Sequence, residues 1–103
     1  MNPMIRSKIP ELANLCNRHN VRRLILFGSA TSDHFEPTSS DLDLLVEFKP
    51  MLPVQHADIY FGLMEDLQRL FGVQVDLVEP GPIRNPYFRQ AIEQSQVVIY
   101  EAA

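Results

Sequence analysis

Cysteine is nearly missing from this chain: Cys16 stands alone among 103 residues, so no disulfide can form within it. Long apolar runs are missing too; none approaches the roughly 20 residues that a membrane helix needs. No secretory signal pattern opens the sequence, because Pro3, Arg6 and Lys8 interrupt its first apolar residues. These absences together read as a cytoplasmic chain. Basic residues are scarce: nine Lys and Arg face thirteen Asp and Glu, for a net charge of -4. Only Arg22 and Arg23 are adjacent. A surface that neutralises many phosphates is therefore not expected, nor is binding to bulk nucleic acid. His19, His34 and His56 lie far apart with no cysteine at metal-ligand spacing, and read as surface or loop residues. There is no Gly-Lys-Ser/Thr phosphate loop. The glycine-serine pair at Gly28-Ser29 lacks the flanks of a nucleophile elbow. No repeat, linker or low-complexity segment interrupts the chain.

What remains is ordinary globular composition, 46% hydrophobic and 21% charged. The length suits one domain with one modest core, spanning residues 1–103. Ile5, Ile9, Leu12 and Cys16 recur at steps of three and four, which predicts an amphipathic helix over residues 3–18. Pro10 lies inside it and trims or kinks its start; Asn20 is placed to cap its end. Cys16 falls on the buried stripe and reads as core rather than nucleophile. Residues 21–27 form a strand whose continuous apolar end predicts cover on both faces. Arg22 and Arg23 read as solvated. Residues 41–48 form a second strand. Asp41, Asp43, Leu45 and Glu47 share one face; Leu42, Leu44, Val46 and Phe48 share the other. A helical stripe follows through Ile59, Leu63, Leu67 and Leu70, flanked by Tyr60, Met64 and Phe71, and Gly72 ends it. Residues 73–78 form a third strand. Pro80-Gly81-Pro82 makes a turn, and Asn85-Pro86 starts a short helix over residues 87–94. A last strand covers residues 97–100. Helices on a mixed sheet of about four strands make this a small α/β (α+β) domain.

The chemistry concentrates in residues 24–48. Asp41 and Asp43 leave one face of a strand with Cα atoms about 6 to 7 Å apart. Two such carboxylates repel unless a cation lies between them, and repulsion raises the proton affinity of at least one. Mg²⁺ takes one or two carboxylates plus substrate phosphates. Asp76, on the polar face of the third strand, is the natural third ligand if that strand neighbours the second. Three carboxylates suit a two-metal site. Gly28 permits a tight turn after a strand, where Ser29 and backbone N–H groups could hold phosphate oxygens.

A strand, Gly28-Ser29, a loop of about ten residues, then Ser40-Asp41-Leu42-Asp43-Leu44-Leu45-Val46 resembles the DNA polymerase beta-type nucleotidyltransferase superfamily. The size and the segment Asn85-Pro86-Tyr87-Phe88 are similar to its minimal nucleotidyltransferases, the MNT antitoxins paired with HEPN ribonuclease toxins. The resemblance spans nearly the whole chain. It implies the nucleotidyltransferase fold, with Gly28, Ser29 and Ser40 binding nucleotide and Asp41, Asp43 and Asp76 as catalytic metal ligands for two Mg²⁺. It implies transfer of AMP from ATP to a hydroxyl, a tyrosine of the HEPN toxin, which is thereby neutralised. Many members follow Gly-Ser with an arginine and a glycine; here Ala30, Thr31, Ser32, Asp33 and His34 follow. The alternative is an antitoxin that neutralises its toxin by binding alone.

Overall fold

Pro10 decides how the chain begins. A proline lacks an N–H and disfavours helical geometry in the residue before it. The single helix expected over residues 3–18 is accordingly two: α1, Pro3–Ser7, and α2, Ile9–Arg18, hinged at Lys8. Both prolines occupy first-turn positions, where the missing N–H would have no helical partner. The computed structural model describes residues 2–31, 41–80, 89–90 and 93–103. Ile5, Leu12, Leu15 and Cys16 form the buried face of this pair. Burial pushes the Cys16 thiol up to about 12, which keeps it an inert core group as expected. After α2, Asn20 adopts φ 57, the left-handed conformation that asparagine tolerates best after glycine.

The remaining elements are β1 (Val21–Phe27), a 3-10 turn (Gly28–Thr31), β2 (Leu42–Phe48), α3 (Pro53–Phe71), β3 (Val75–Val78) and β4 (Val97–Glu101). They build a four-stranded mixed sheet in the order β3-β2-β1-β4. β1 runs antiparallel to both β2 and β4; β2 and β3 are parallel, so α3 is the crossover between them. The expected turn at Gly81-Pro82, and Tyr87, Phe88, Ala91 and Ile92 of the expected short helix, lie outside the described residues. Arg89, Gln90, Glu93 and Gln94 are helical.

The alternation in β2 holds residue by residue. Leu42, Leu44 and Val46 join Leu24, Leu26, Leu63 and Leu67 in the main core beneath the helices. Leu45 lies on the other face with Ile25, Phe27 and Val78 in a second, smaller apolar cluster. The solid apolar end of β1 is thus explained: both of its faces are buried. Arg23, read as solvated, is partly exposed and also donates to Glu47 across the β1–β2 pair at 2.5 Å, and this bond holds the Glu47 carboxyl below its usual range.

β3 is an edge strand, and edges expose unpaired backbone groups. Here α3 supplies partners. The Val75 N–H donates to Gln68 Oε1 at 3.2 Å, and the Tyr60 hydroxyl donates to the Leu77 carbonyl. Gly72 ends α3 in the left-handed conformation, φ 69, as its position predicts. Two histidines read as surface residues serve as ties. His19 bonds Asp66 at 2.7 Å, joining the end of α2 to α3, and His56 bonds Glu79 at 2.7 Å beyond β3. Among the described residues no helix is long and apolar enough to cross a membrane.

Asn20→Ala is expected to lower unfolding free energy by about 1 kcal/mol, since alanine resists left-handed geometry, whereas Asn20→Gly leaves it unchanged or slightly higher. Urea denaturation of the variants checks this; equal losses for both would place the role of Asn20 in its side chain.

Candidate active site

β1 ends at Phe27, which pairs with Asp43 on β2; Asp43 in turn pairs with Asp76 on β3. One row across the sheet therefore reads Asp76, Asp43, Phe27. Neighbouring strands lie about 4.8 Å apart, so the two aspartate side chains rise from adjacent points on the same face. Asp41 precedes β2 by one residue and is exposed. The next row is apolar, Val78, Leu45 and Ile25, and walls the aspartates from the Arg23–Glu47 pair beyond.

Gly28 forms the other wall. Its φ is +75, and a Cβ built on it would lie 2.5 Å from Asp43 Oδ2. Any side chain at this position would occupy the carboxylate's place. The glycine thus serves twice: it takes a backbone angle that other residues resist, and it lets a charged oxygen press against the bend. The turn after it is closed by the Thr31 hydroxyl, which donates to the Gly28 carbonyl at 2.8 Å. On the far side the Gly28 N–H donates to Ser95 Oγ at 3.1 Å.

The electrostatics follow from this crowding. Burial, then the charge of Asp76, then that of Asp41, raise the Asp43 pKa above its ordinary value. Among the described residues no Lys, Arg or His pairs with any of the three aspartates. Among those residues nothing basic compensates the excess negative charge. Nor do any three acidic, His or Cys side chains among the described residues stand close enough together, as they are, to enclose an ion. Like charges repel, and the three side chains would have to draw together around a cation. The donor set nevertheless fits a hard divalent ion: three carboxylates, no competing basic group among the described residues, and a glycine that leaves room for Asp43.

The anticipated neighbourhood of Asp43, Asp76 and Gly28 is present, and Asp41 is near enough to act on Asp43 electrostatically. Ser29 lies in the 3-10 turn. Ser40 and His34 lie outside the described residues. Three contacts had no warning in the sequence: Ser95 on Gly28, and Gln68 and Tyr60 on the edge of β3. No motif marks them; only strand register reveals them.

Two outcomes are expected. Because the folded protein holds Asp43 at a raised pKa, it binds that proton more tightly than the unfolded chain does. Ionised Asp43 therefore costs stability at neutral pH, and the cost fades as pH falls through the raised pKa. Asp43→Asn should raise the melting temperature in chelator at pH 7, with the gain shrinking toward acid; a gain independent of pH would contradict this. Gly28→Ala should cost about 1–3 kcal/mol, from the strained angle and the clash. In a double-mutant cycle, adding Asp43→Ala should restore part of that loss.

The geometry meets its relatives at this point. The profile of the nucleotidyltransferase domain family matches residues 9–99. "Putative protein adenylyltransferase MJ0128" of Methanocaldococcus jannaschii is 33% identical over 85 residues, covering 82% of this chain and 83% of the relative. A solved structure described as a putative minimal nucleotidyltransferase is 30% identical with TM-score 0.68, covering 94% of this chain and 95% of the other. The structure of a tri-AMPylated Shewanella oneidensis HEPN toxin in complex with MNT antitoxin matches at TM-score 0.62 and 16% identity, covering 94% of this chain and 72% of that one. At that identity it speaks for the fold. With the sheet, the glycine bend and the matched span in agreement, this chain belongs to the nucleotidyltransferase domain family and is a minimal nucleotidyltransferase.

Proposed function

We propose that this protein is an antitoxin that transfers AMP from ATP to a tyrosine hydroxyl of a cognate HEPN ribonuclease toxin in the cytoplasm. One observation carries the reading: Asp43 is opposite Asp76 in the sheet while its carboxylate touches the Gly28 bend. Metal-binding carboxylates and the phosphate-side bend then adjoin, as transfer of a nucleotidyl group requires. The protein adenylyltransferase name of the Methanocaldococcus jannaschii relative and the AMPylated toxin in the Shewanella oneidensis complex support the choice of AMP and of a protein acceptor.

In this reading Asp41, Asp43 and Asp76 hold two Mg²⁺, and Gly28, Ser29 and Ser40 receive the triphosphate. Bound Mg²⁺ would neutralise the triphosphate and leaving group and favour ionisation of the acceptor hydroxyl. The chain's own work is positioning. Gly28, lacking a Cβ, lets Asp43 sit against the bend that holds the phosphates. The apolar row behind the aspartates, Val78, Leu45 and Ile25, keeps the site's floor dry and its field strong. The acceptor oxygen bonds to the α-phosphorus, the bond to the β-phosphate oxygen breaks, and pyrophosphate leaves with that electron pair. The acceptor loses its proton. In this reading the toxin brings the acceptor hydroxyl.

Purified protein incubated with radiolabelled ATP, Mg²⁺ and the toxin encoded beside it should label the toxin. Asp43→Ala should reduce labelling by at least about 10²-fold, the scale of a lost metal ligand. No labelling by wild-type protein, with neutralisation retained in an Asp41→Ala/Asp43→Ala variant, would favour an antitoxin that acts by binding alone.

A further inference from the structure

We propose that Ser95 is a positioning residue for nucleotide binding: its hydroxyl pegs the Gly28-Ser29 bend at the angle that presents Ser29 beside Asp43. The inference deepens the nucleotidyltransferase reading and rests on it.

The register carries the argument. In the β1–β4 pair Leu26 is opposite Val97. Two steps further along antiparallel strands place Gly28 opposite Ser95. A regular ladder would continue there with backbone groups. Instead the Gly28 N–H donates to the Ser95 side-chain oxygen at 3.1 Å. Ser95 lies in a bend before β4, and its hydroxyl, unlike a ladder carbonyl, turns about χ1. It can hold the amide after β1 has begun to turn away into the 3-10 turn Gly28–Thr31. Ser95 thus keeps one end of the sheet joined at the point where regular pairing stops.

The bond has a consequence for the phosphate side. Both backbone groups of Gly28 are engaged, the N–H by Ser95 and the carbonyl by Thr31 Oγ1 at 2.8 Å. Its Cα faces Asp43. With its amide turned toward β4, Gly28 contributes shape, and the phosphate contact passes to Ser29. Asp43 limits the bend from the β2 side and Ser95 holds it from the β4 side. Without the peg, rotation at Gly28 would move Ser29 relative to the aspartates, because glycine offers little torsional resistance of its own.

The test compares wild type, Ser95→Ala and Ser95→Thr. The dissociation constant of Mg²⁺·AMP-PNP is measured by calorimetry, and the Gly28 amide signal and its hydrogen exchange by ¹⁵N NMR. Ser95→Ala should weaken nucleotide binding roughly three- to tenfold, the effect of one hydrogen bond. It should also shift the Gly28 amide signal and speed its exchange. Ser95→Thr, which keeps the hydroxyl, should restore both. The spectra report whether each variant is folded, and a merely structural role would lower melting temperature without changing the dissociation constant of the folded protein. If wild type binds and Ser95→Ala binds equally well, the inference falls alone. If folded wild type binds no nucleotide, the functional reading falls and takes the inference with it.

Discussion

Repulsion among carboxylates is the constraint on which this structure turns. Asp43 is half-buried in the row it shares with Asp76, with Asp41 close by and a glycine bend pressed against it. No basic side chain among the described residues offsets these charges. A fold does not gain by gathering anions in a partly dry place; each one loses hydration and is repelled by the next. Under the proposed function, bound cations would offset that cost, and the charges that weaken the fold would serve binding. Several other carboxylates have a basic partner: Arg23 meets Glu47, His19 meets Asp66, His56 meets Glu79, and Arg69 meets Glu65. Among the described residues the three aspartates have none.

Keeping that row in order falls to parts of the chain that never touch it. Asp76 belongs to a four-residue edge strand, too short to fix its own register by pairing alone. α3 holds it from outside through Gln68 and Tyr60, whose side chains take the two outward backbone groups of Val75 and Leu77. α3 in turn is anchored by Leu63, Leu67 and Phe71 in the core and by the His19–Asp66 tie to α2. A slip of one residue in β3 would turn Asp76 into the core and Leu77 toward solvent. Apolar burial on one face thereby enforces acidic exposure on the other. The bend is held in the same indirect way, by Ser95, two residues before the strand on the opposite side of β1. Two segments distant in sequence, α3 and the residues just before β4, thus position Asp76 on β3 and the Gly28 bend after β1.

Family membership agrees with this physical picture. The glycine-serine bend and spaced aspartates that resemble the nucleotidyltransferases fall, in the folded chain, beside one another and beside Asp76. The matched span, residues 9–99, runs from α2 into β4 and so includes every element that shapes the aspartate row.

Period, punctuation and composition were enough to read the local structure. Alternation in residues 41–48 assigned every side chain of β2 to its face. Asparagine at 20 and glycine at 72 marked helix ends, because few residues adopt left-handed angles cheaply. Two carboxylates at strand spacing marked where like charge gathers, and the raised pKa of Asp43 reflects it. Such signals are local, each decided within a few residues of backbone. What the linear order left open was everything that depends on which strand lies beside which. The Arg23–Glu47 pair, the histidine ties, the support from Gln68 and Tyr60 and the Ser95 contact all join segments whose proximity follows from packing. Asp76 shows the boundary most clearly: its polar face could be read from its neighbours, but its place opposite Asp43 comes from a parallel pairing that α3 had to complete, since contacts between distant segments are chosen by the core they jointly bury.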